Sequence, residues 1–199
     1  MIEAGEQTMS HRMQTEIVIA GFGGQGVLFA GQMLAYTALD TGKEVTWIPS
    51  YGPEMRGGTA NCTVIIADEE IGSPFVRNPQ AVLALNLPSF DKYESTIKAG
   101  GILVVNASLV NRPVTRQDIT SISIPANEIA EGLGNKRLTN IVMVGALLEK
   151  LPIFTIEAVA KTLQNHLPER HKGLLPLNVK ALQAGSEFTS RESTMEAFA

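Results

Sequence analysis

The residues of this chain best suited to chemistry are glycines. Gly21-Phe22-Gly23-Gly24-Gln25-Gly26 matches the pattern G-x-G-x-x-G, follows the β-branched run Glu16-Ile17-Val18-Ile19-Ala20 and precedes a helical pattern. In that strand–turn–helix setting Gly21 permits a tight turn. Gly23 and Gly24 let a ligand meet the backbone without intervening Cβ atoms, and Gly26 lets the helix pack closely on the sheet. Backbone N–H groups at the start of the helix then offer a seat for an anion such as phosphate. The same residues also suit a tight turn with no ligand.

A second glycine-rich segment bears on that choice. Pro49-Ser50-Tyr51-Gly52-Pro53-Glu54-Met55-Arg56-Gly57-Gly58-Thr59 is more heavily punctuated than a plain connector requires. Ligands in α/β folds sit at the carboxyl ends of parallel strands, so this loop is expected beside the first turn. Tyr51 brings a hydroxyl, Glu54 a carboxylate, and Arg56 a guanidinium able to grip phosphate or carboxylate through two N–H groups. Gly52, Pro53, Gly57 and Gly58 shape the backbone around them. An isolated Glu54–Arg56 surface pair would be worth at most about 1 kcal/mol. Asn140 belongs with these candidates because it shares a helical face with Met143, Val144 and Leu147. A buried amide must find partners. The reading stays open between an amide that faces a ligand or bonds a glycine loop, and a satisfied core or capping amide. Together these residues form the candidate binding set, as ligand-contacting or subunit-interface loops.

Other chemistries find little support. A dinucleotide site calls for an acidic residue at the end of the second strand. Here that place holds Pro49-Ser50-Tyr51, while Asp40 lies on the preceding helix and Glu44 opens the strand. A stand-alone nicotinamide- or flavin-binding protein therefore remains only the alternative reading. Cys62 is the one cysteine of the chain, so no intrachain disulfide forms and the chain alone cannot hold an iron–sulfur cluster, which usually takes four thiolates. Within a β-branched run it reads as a buried, inert thiol. His11, His166 and His171 lack metal-ligand spacing and read as surface residues. No catalytic residue and no metal ligand is assigned.

The 199 residues carry 20 acidic and 16 basic side chains, for a net charge of −4. With no long basic run, nucleic acid and anionic membranes are poor partners. No uninterrupted apolar run reaches the ~18 residues of a membrane span. Low cysteine usage and the lack of a signal peptide predict a cytoplasmic protein.

The elements that must position the two loops alternate. Strands are expected over 16–20, 44–48, 59–67, 81–86, 102–106 and 119–124. Helices are expected over 27–40 and 88–98, from Ala126, over 138–151, after a Thr155 cap, and over 177–185. Several strands are apolar throughout, the mark of a parallel sheet covered on both faces. The fold class is α/β, a three-layer Rossmann-like domain with a mostly parallel sheet and helices on both faces. Residues 14–185 form the single domain, with a flexible extension over 1–13 and a tail over 186–199.

Taken together, GFGGQG and PSYGPEMRGGTANC resemble the gamma subunits of the 2-oxoacid:ferredoxin oxidoreductases, most of all the 2-oxoglutarate type, with the 2-oxoisovalerate type close behind. The resemblance continues through Ala84-Leu85-Asn86-Leu87-Pro88-Ser89-Phe90-Asp91-Lys92-Tyr93 and Asn135-Lys136-Arg137-Leu138-Thr139-Asn140, over about residues 14–185. It implies a non-autonomous subunit of an enzyme that oxidatively decarboxylates a 2-oxoacid, forms an acyl-coenzyme A and reduces ferredoxin. It implies alpha, beta and ferredoxin-like delta partners, with thiamine diphosphate, Mg2+ and iron–sulfur clusters on those other chains. Coenzyme A is the leading candidate for a phosphate-bearing ligand of the glycine loops. A purely structural assembly subunit is the other alternative, and a homodimer is expected when the chain is isolated.

Overall fold

The computed structural model describes residues 14–51 and 59–197. The expected extension over 1–13 and the loop residues 52–58 lie outside the described residues. The elements in chain order are β1 (Gln14–Phe22), α1 (Val27–Asp40), β2 (Glu44–Tyr51), β3 (Thr59–Ala67), β4 (Ala81–Ala84) and α2 (Leu87–Tyr93). They continue as β5 (Ile102–Asn106), β6 (Thr120–Ile124), α3 (Ala126–Gly132), α4 (Thr139–Lys150), α5 (Ile156–His166) and α6 (Leu175–Ala197).

The six strands form one sheet in the order β2-β3-β1-β4-β5-β6. β1, β4, β5 and β6 run parallel, and β3 is antiparallel to both of its neighbours. The α/β class and the mostly parallel sheet hold. The strands that read as uniformly apolar, β4 and β5, are buried at every residue because helices or loops cover both faces. One face packs its inward residues, among them Ile17, Ile19, Val64, Leu83 and Val104, against α1, α3, α4, α5 and α6. The other face buries Val18, Val82, Leu103 and Val105 under Phe90 of α2 and the segment carrying Val110 and Ile119. Fully burying each such side chain is worth roughly 1.5–3 kcal/mol, which makes this apolar sandwich the main source of stability.

Local signals set several boundaries. Asn86 caps α2, its Oδ1 accepting from the Ser89 N–H at 2.9 Å. The Thr155 hydroxyl accepts from the Ala158 N–H at 3.2 Å and starts α5. α2 is shorter than expected, because the chain tightens into a single 3-10 turn at Glu94–Thr96 before Gly100. The expected tail from Ser186 requires correction, since α6 runs on as a helix to Ala197. Its polar sequence hides a continued contact face. Phe188 packs against the core, and the buried Thr189 hydroxyl donates to the Gly185 carbonyl at 3.1 Å.

Among the described residues no helix is long and apolar enough to cross a membrane. Nor do three or more His, Cys, Asp or Glu residues among them gather as a potential metal site.

Candidate functional site

The first glycine segment lies where β1 leaves the sheet for α1, as its sequence setting requires. Gly21 lies against the turn, where an added Cβ would come within 2.7 Å of Gln25 Oε1 and 2.9 Å of Val27 Cγ2, whereas Gly26 takes a role other than the one expected. Gly21 still belongs to β1, and the tight turn closes later, with the Gln25 N–H donating to the Phe22 carbonyl at 3.1 Å. Gly23 and Gly24 form the turn, Gly23 half-buried and Gly24 exposed. Gly26 is the N-cap of α1 with a left-handed backbone at φ +75°. Close packing of α1 on the sheet falls instead to Gly31, where an added Cβ would collide with Cys62 Sγ and come within 3.0 Å of Trp47 Nε1.

Gln25 turns inward and ties the turn to the neighbouring strand. Its Oε1 accepts from the Phe22 N–H at 2.6 Å and from Asn86 Nδ2 at 3.1 Å. Its Nε2 reaches the Leu85 carbonyl at 3.4 Å. Asn86 therefore does more than make a local cap, since one amide joins α2, β4 and the glycine turn. Asn106 adds to the same end of the sheet, donating to the Leu85 carbonyl at 3.3 Å and to Asn127 Oδ1 at 3.2 Å.

Asn140 resolves toward one of its two readings. Its Nδ2 donates to the Gly26 carbonyl at 2.9 Å, so it bonds a glycine loop from the first turn of α4. Its Oδ1 is buried without a protein partner among the described residues.

Of the second segment, the structure describes only the strand ends that carry it. Gly52, Pro53, Glu54, Arg56, Gly57 and Gly58 lie outside the described residues, as does the side chain of Tyr51. Tyr51 pairs with Ala60 across β2 and β3, and Thr59 pairs with Phe22 across β3 and β1. The loop is thus anchored at the end of the sheet where the glycine turn begins, as expected. The route is different, because β2 and β3 form an antiparallel pair and β3, not β2, stands beside β1.

The structure adds residues that the reading of the sequence did not assign. A cavity of about 220 Å³ opens beside Gly24 and Gln25, and its far wall carries Asn127, Lys136, Arg137 and Thr139. Lys136 is drawn to Glu131 at 2.9 Å, while the Arg137 guanidinium has no ion-pair partner among the described residues. Thr139 Oγ1 donates to Asn127 Oδ1 at 3.2 Å. Glu131 lines the same cavity and holds Lys136, which leaves the Arg137 guanidinium as the group there suited to a phosphate or carboxylate. The run Asn135-Lys136-Arg137 held the signal, but more than a hundred residues separate it from the turn.

Cys62 is fully buried, and burial pushes its thiol up to about 11. The folded chain therefore holds a proton that the unfolded chain releases near the ordinary thiol range. The thiol's contribution to stability is complete below that range and is lost as pH rises towards 11. Iodoacetamide at pH 8 is expected to modify the folded chain far more slowly than the chain in denaturant; equal rates would contradict a buried, protonated thiol.

The chain is thus an α/β domain whose glycine turn lies at a polar end of the sheet. A family profile described as pyruvate ferredoxin/flavodoxin oxidoreductase matches residues 16–188, and the chain belongs to that family. It is 37% identical over 179 residues to the 2-oxoglutarate synthase subunit KorC of Methanocaldococcus jannaschii, covering 88% of this chain and 94% of that one. It is 35% identical over 176 residues to the ketoisovalerate oxidoreductase subunit VorA of Methanothermobacter thermautotrophicus, where the match spans 88% of this chain but only 36% of the relative. The crystal structure of a keto/oxoacid ferredoxin oxidoreductase gamma subunit from Geobacter sulfurreducens superposes with a TM-score of 0.78 at 31% identity, covering 90% of this chain and 98% of that one.

Proposed function

We propose that this chain is the gamma subunit of a 2-oxoglutarate:ferredoxin oxidoreductase. In the reaction a 2-oxoacid and coenzyme A give an acyl-coenzyme A and carbon dioxide, and two electrons pass to ferredoxin. The observation that carries the reading is the extent of the match to the 2-oxoglutarate synthase subunit, which takes in nearly the whole of both chains. The ketoisovalerate relative, similar in identity, is a much longer chain of which this one spans about a third.

The donor set of the chain supports a division of labour. With one cysteine, and that one buried, the residues present do not fit an iron–sulfur cluster. Clusters therefore fall to partner chains, and on the same reading thiamine diphosphate and its Mg2+ belong to the alpha and beta subunits. The role left to this chain is to help seat a phosphate-bearing group, coenzyme A, at the end of the sheet where the glycine turn faces Arg137 and Lys136.

The test is a purified complex assayed with a panel of 2-oxoacids, followed by Arg137→Ala and Arg56→Ala. A charged hydrogen bond to phosphate is worth about 1.5–3 kcal/mol, so the KM for coenzyme A is expected to rise roughly tenfold or more. Decarboxylation measured without coenzyme A should persist. If coenzyme A affinity and assembly are both unchanged in both variants, the ligand role of these loops is wrong. If assembly alone fails, the loops serve only as a structural interface.

A further inference from the structure

Beside the glycine turn, three side-chain amides take orientations dictated by backbone groups. The Phe22 N–H only donates, so Gln25 turns Oε1 towards it at 2.6 Å. The Leu85 carbonyl only accepts, and it draws Gln25 Nε2 at 3.4 Å and Asn106 Nδ2 at 3.3 Å. The same Asn106 nitrogen lies 3.2 Å from the side chain of Asn127, which must answer with its oxygen. With Asn106 flipped, its oxygen would press on the Leu85 carbonyl. With Asn127 flipped, two NH2 groups would face each other. The Thr139 hydroxyl reaches the same Asn127 oxygen at 3.2 Å.

Asn106 keeps this orientation at a cost, since it is fully buried and its Oδ1 has no protein partner among the described residues. The consequence falls on Asn127. Its backbone N–H donates to Ser108 Oγ at 3.1 Å, and its Oδ1 is committed to Asn106 and Thr139. Only Nδ2 is left over, with no bond to any described residue. Asn127 is half-buried and lines the 220 Å³ cavity together with Gly24, Gln25 and Arg137.

We propose that Asn127 is a specificity-determining residue of this cavity, offering Nδ2 as a neutral donor to a phosphate oxygen that Arg137 attracts by charge. The inference rests on the coenzyme A role given to the cavity above. A guanidinium alone attracts any anion. An N–H group fixed beside it asks for an oxygen at a defined place, so the pair selects an oxyanion. Glu131, the carboxylate on the same wall, is drawn to Lys136 at 2.9 Å, which leaves both donors to the ligand.

Asn127→Asp in the purified complex tests the proposal, with Arg137→Ala beside it. The aspartate keeps an oxygen for Asn106 and Thr139 and replaces only the nitrogen, by a second carboxylate oxygen. The KM for coenzyme A is expected to rise about tenfold or more, while kcat at saturating coenzyme A and decarboxylation without it stay unchanged. A KM that rises in Arg137→Ala but not in Asn127→Asp overturns the role of Asn127 and leaves the coenzyme A reading standing. A KM unmoved in both variants overturns the two together. A fall in kcat at constant KM would mark Asn127 as a purely structural amide and also overturn the proposal. Should Asn127→Asp fail to assemble, a structure of the unmodified complex with coenzyme A decides. A phosphate oxygen within hydrogen-bond distance of Asn127 Nδ2 is then expected, and its absence overturns the assignment.

Discussion

Alanine at Gly145 or Gly185 is expected to destabilise the chain by about 3 kcal/mol or more, although both glycines sit inside helices. Glycine in a helix interior costs up to about 1 kcal/mol relative to alanine, so propensity alone favours the substitution. Geometry opposes it. A Cβ at Gly145 would collide with the carbonyl oxygen of Leu182 and come within 2.9 Å of its Cα. A Cβ at Gly185 would collide with the Val142 carbonyl oxygen and come within 2.9 Å of the Ala146 N. Both obstacles are backbone, so no side-chain rotation relieves them, and the helices α4 and α6 must part. Overpacking typically costs 1–3 kcal/mol, with more expected where a whole helix has to move. Parting these two exposes Leu182 and Ala181, both fully buried.

Urea unfolding measures the effect, with Gly132→Ala as the control, because nothing lies within 4 Å of the Cβ it would add. The double variant should cost clearly less than the two single costs added, since helices already separated clash only once. A loss below about 1 kcal/mol in either single variant would mean that α4 and α6 do not meet backbone to backbone in solution.

This contact also marks a limit of what the sequence reveals. Gly145 looks like a weak point in a helix and Gly185 like the end of one, and nothing nearby announces that Gly145 meets the Leu182 backbone or Gly185 the Val142 carbonyl. The end of α6 was hidden for a related reason. From Ser186 onward the residues are polar, yet Phe188 and Thr189 continue the spacing of Ala181, Leu182 and Gly185, and the buried threonine satisfies its hydroxyl within its own helix. The sheet was far more legible, because a strand covered on both faces, such as β4, has no polar positions to blur it. The reversed direction of β3 was not, since the long glycine-rich connection lacks the two-residue turn that would signal a hairpin. At the site, the glycine turn could be read from local spacing. The Lys136 and Arg137 wall could not, because only the tertiary fold brings α4 and its preceding turn to the end of β1.

The second large effect is expected at Gly26, where two costs coincide. At φ +75° an alanine would adopt the left-handed conformation, at about 1–2 kcal/mol. Its Cβ would also press on the Asn140 amide, lying 2.9 Å from Cγ and closer still to Nδ2. That amide is the group that donates to the Gly26 carbonyl, so the methyl would break the tie between α4 and the turn. A buried group left unsatisfied adds about 1–3 kcal/mol. Gly24→Ala separates the two costs, because Gly24 has φ +97° with open space where its Cβ would go, and only the backbone cost applies. Gly26→Ala should therefore lose at least 1 kcal/mol more than Gly24→Ala. Asn140→Ala removes the obstacle along with the hydrogen bond, so in a double-mutant cycle Gly26→Ala should cost about 1–2 kcal/mol less on the Asn140→Ala background. Strict additivity would show that the two residues do not touch.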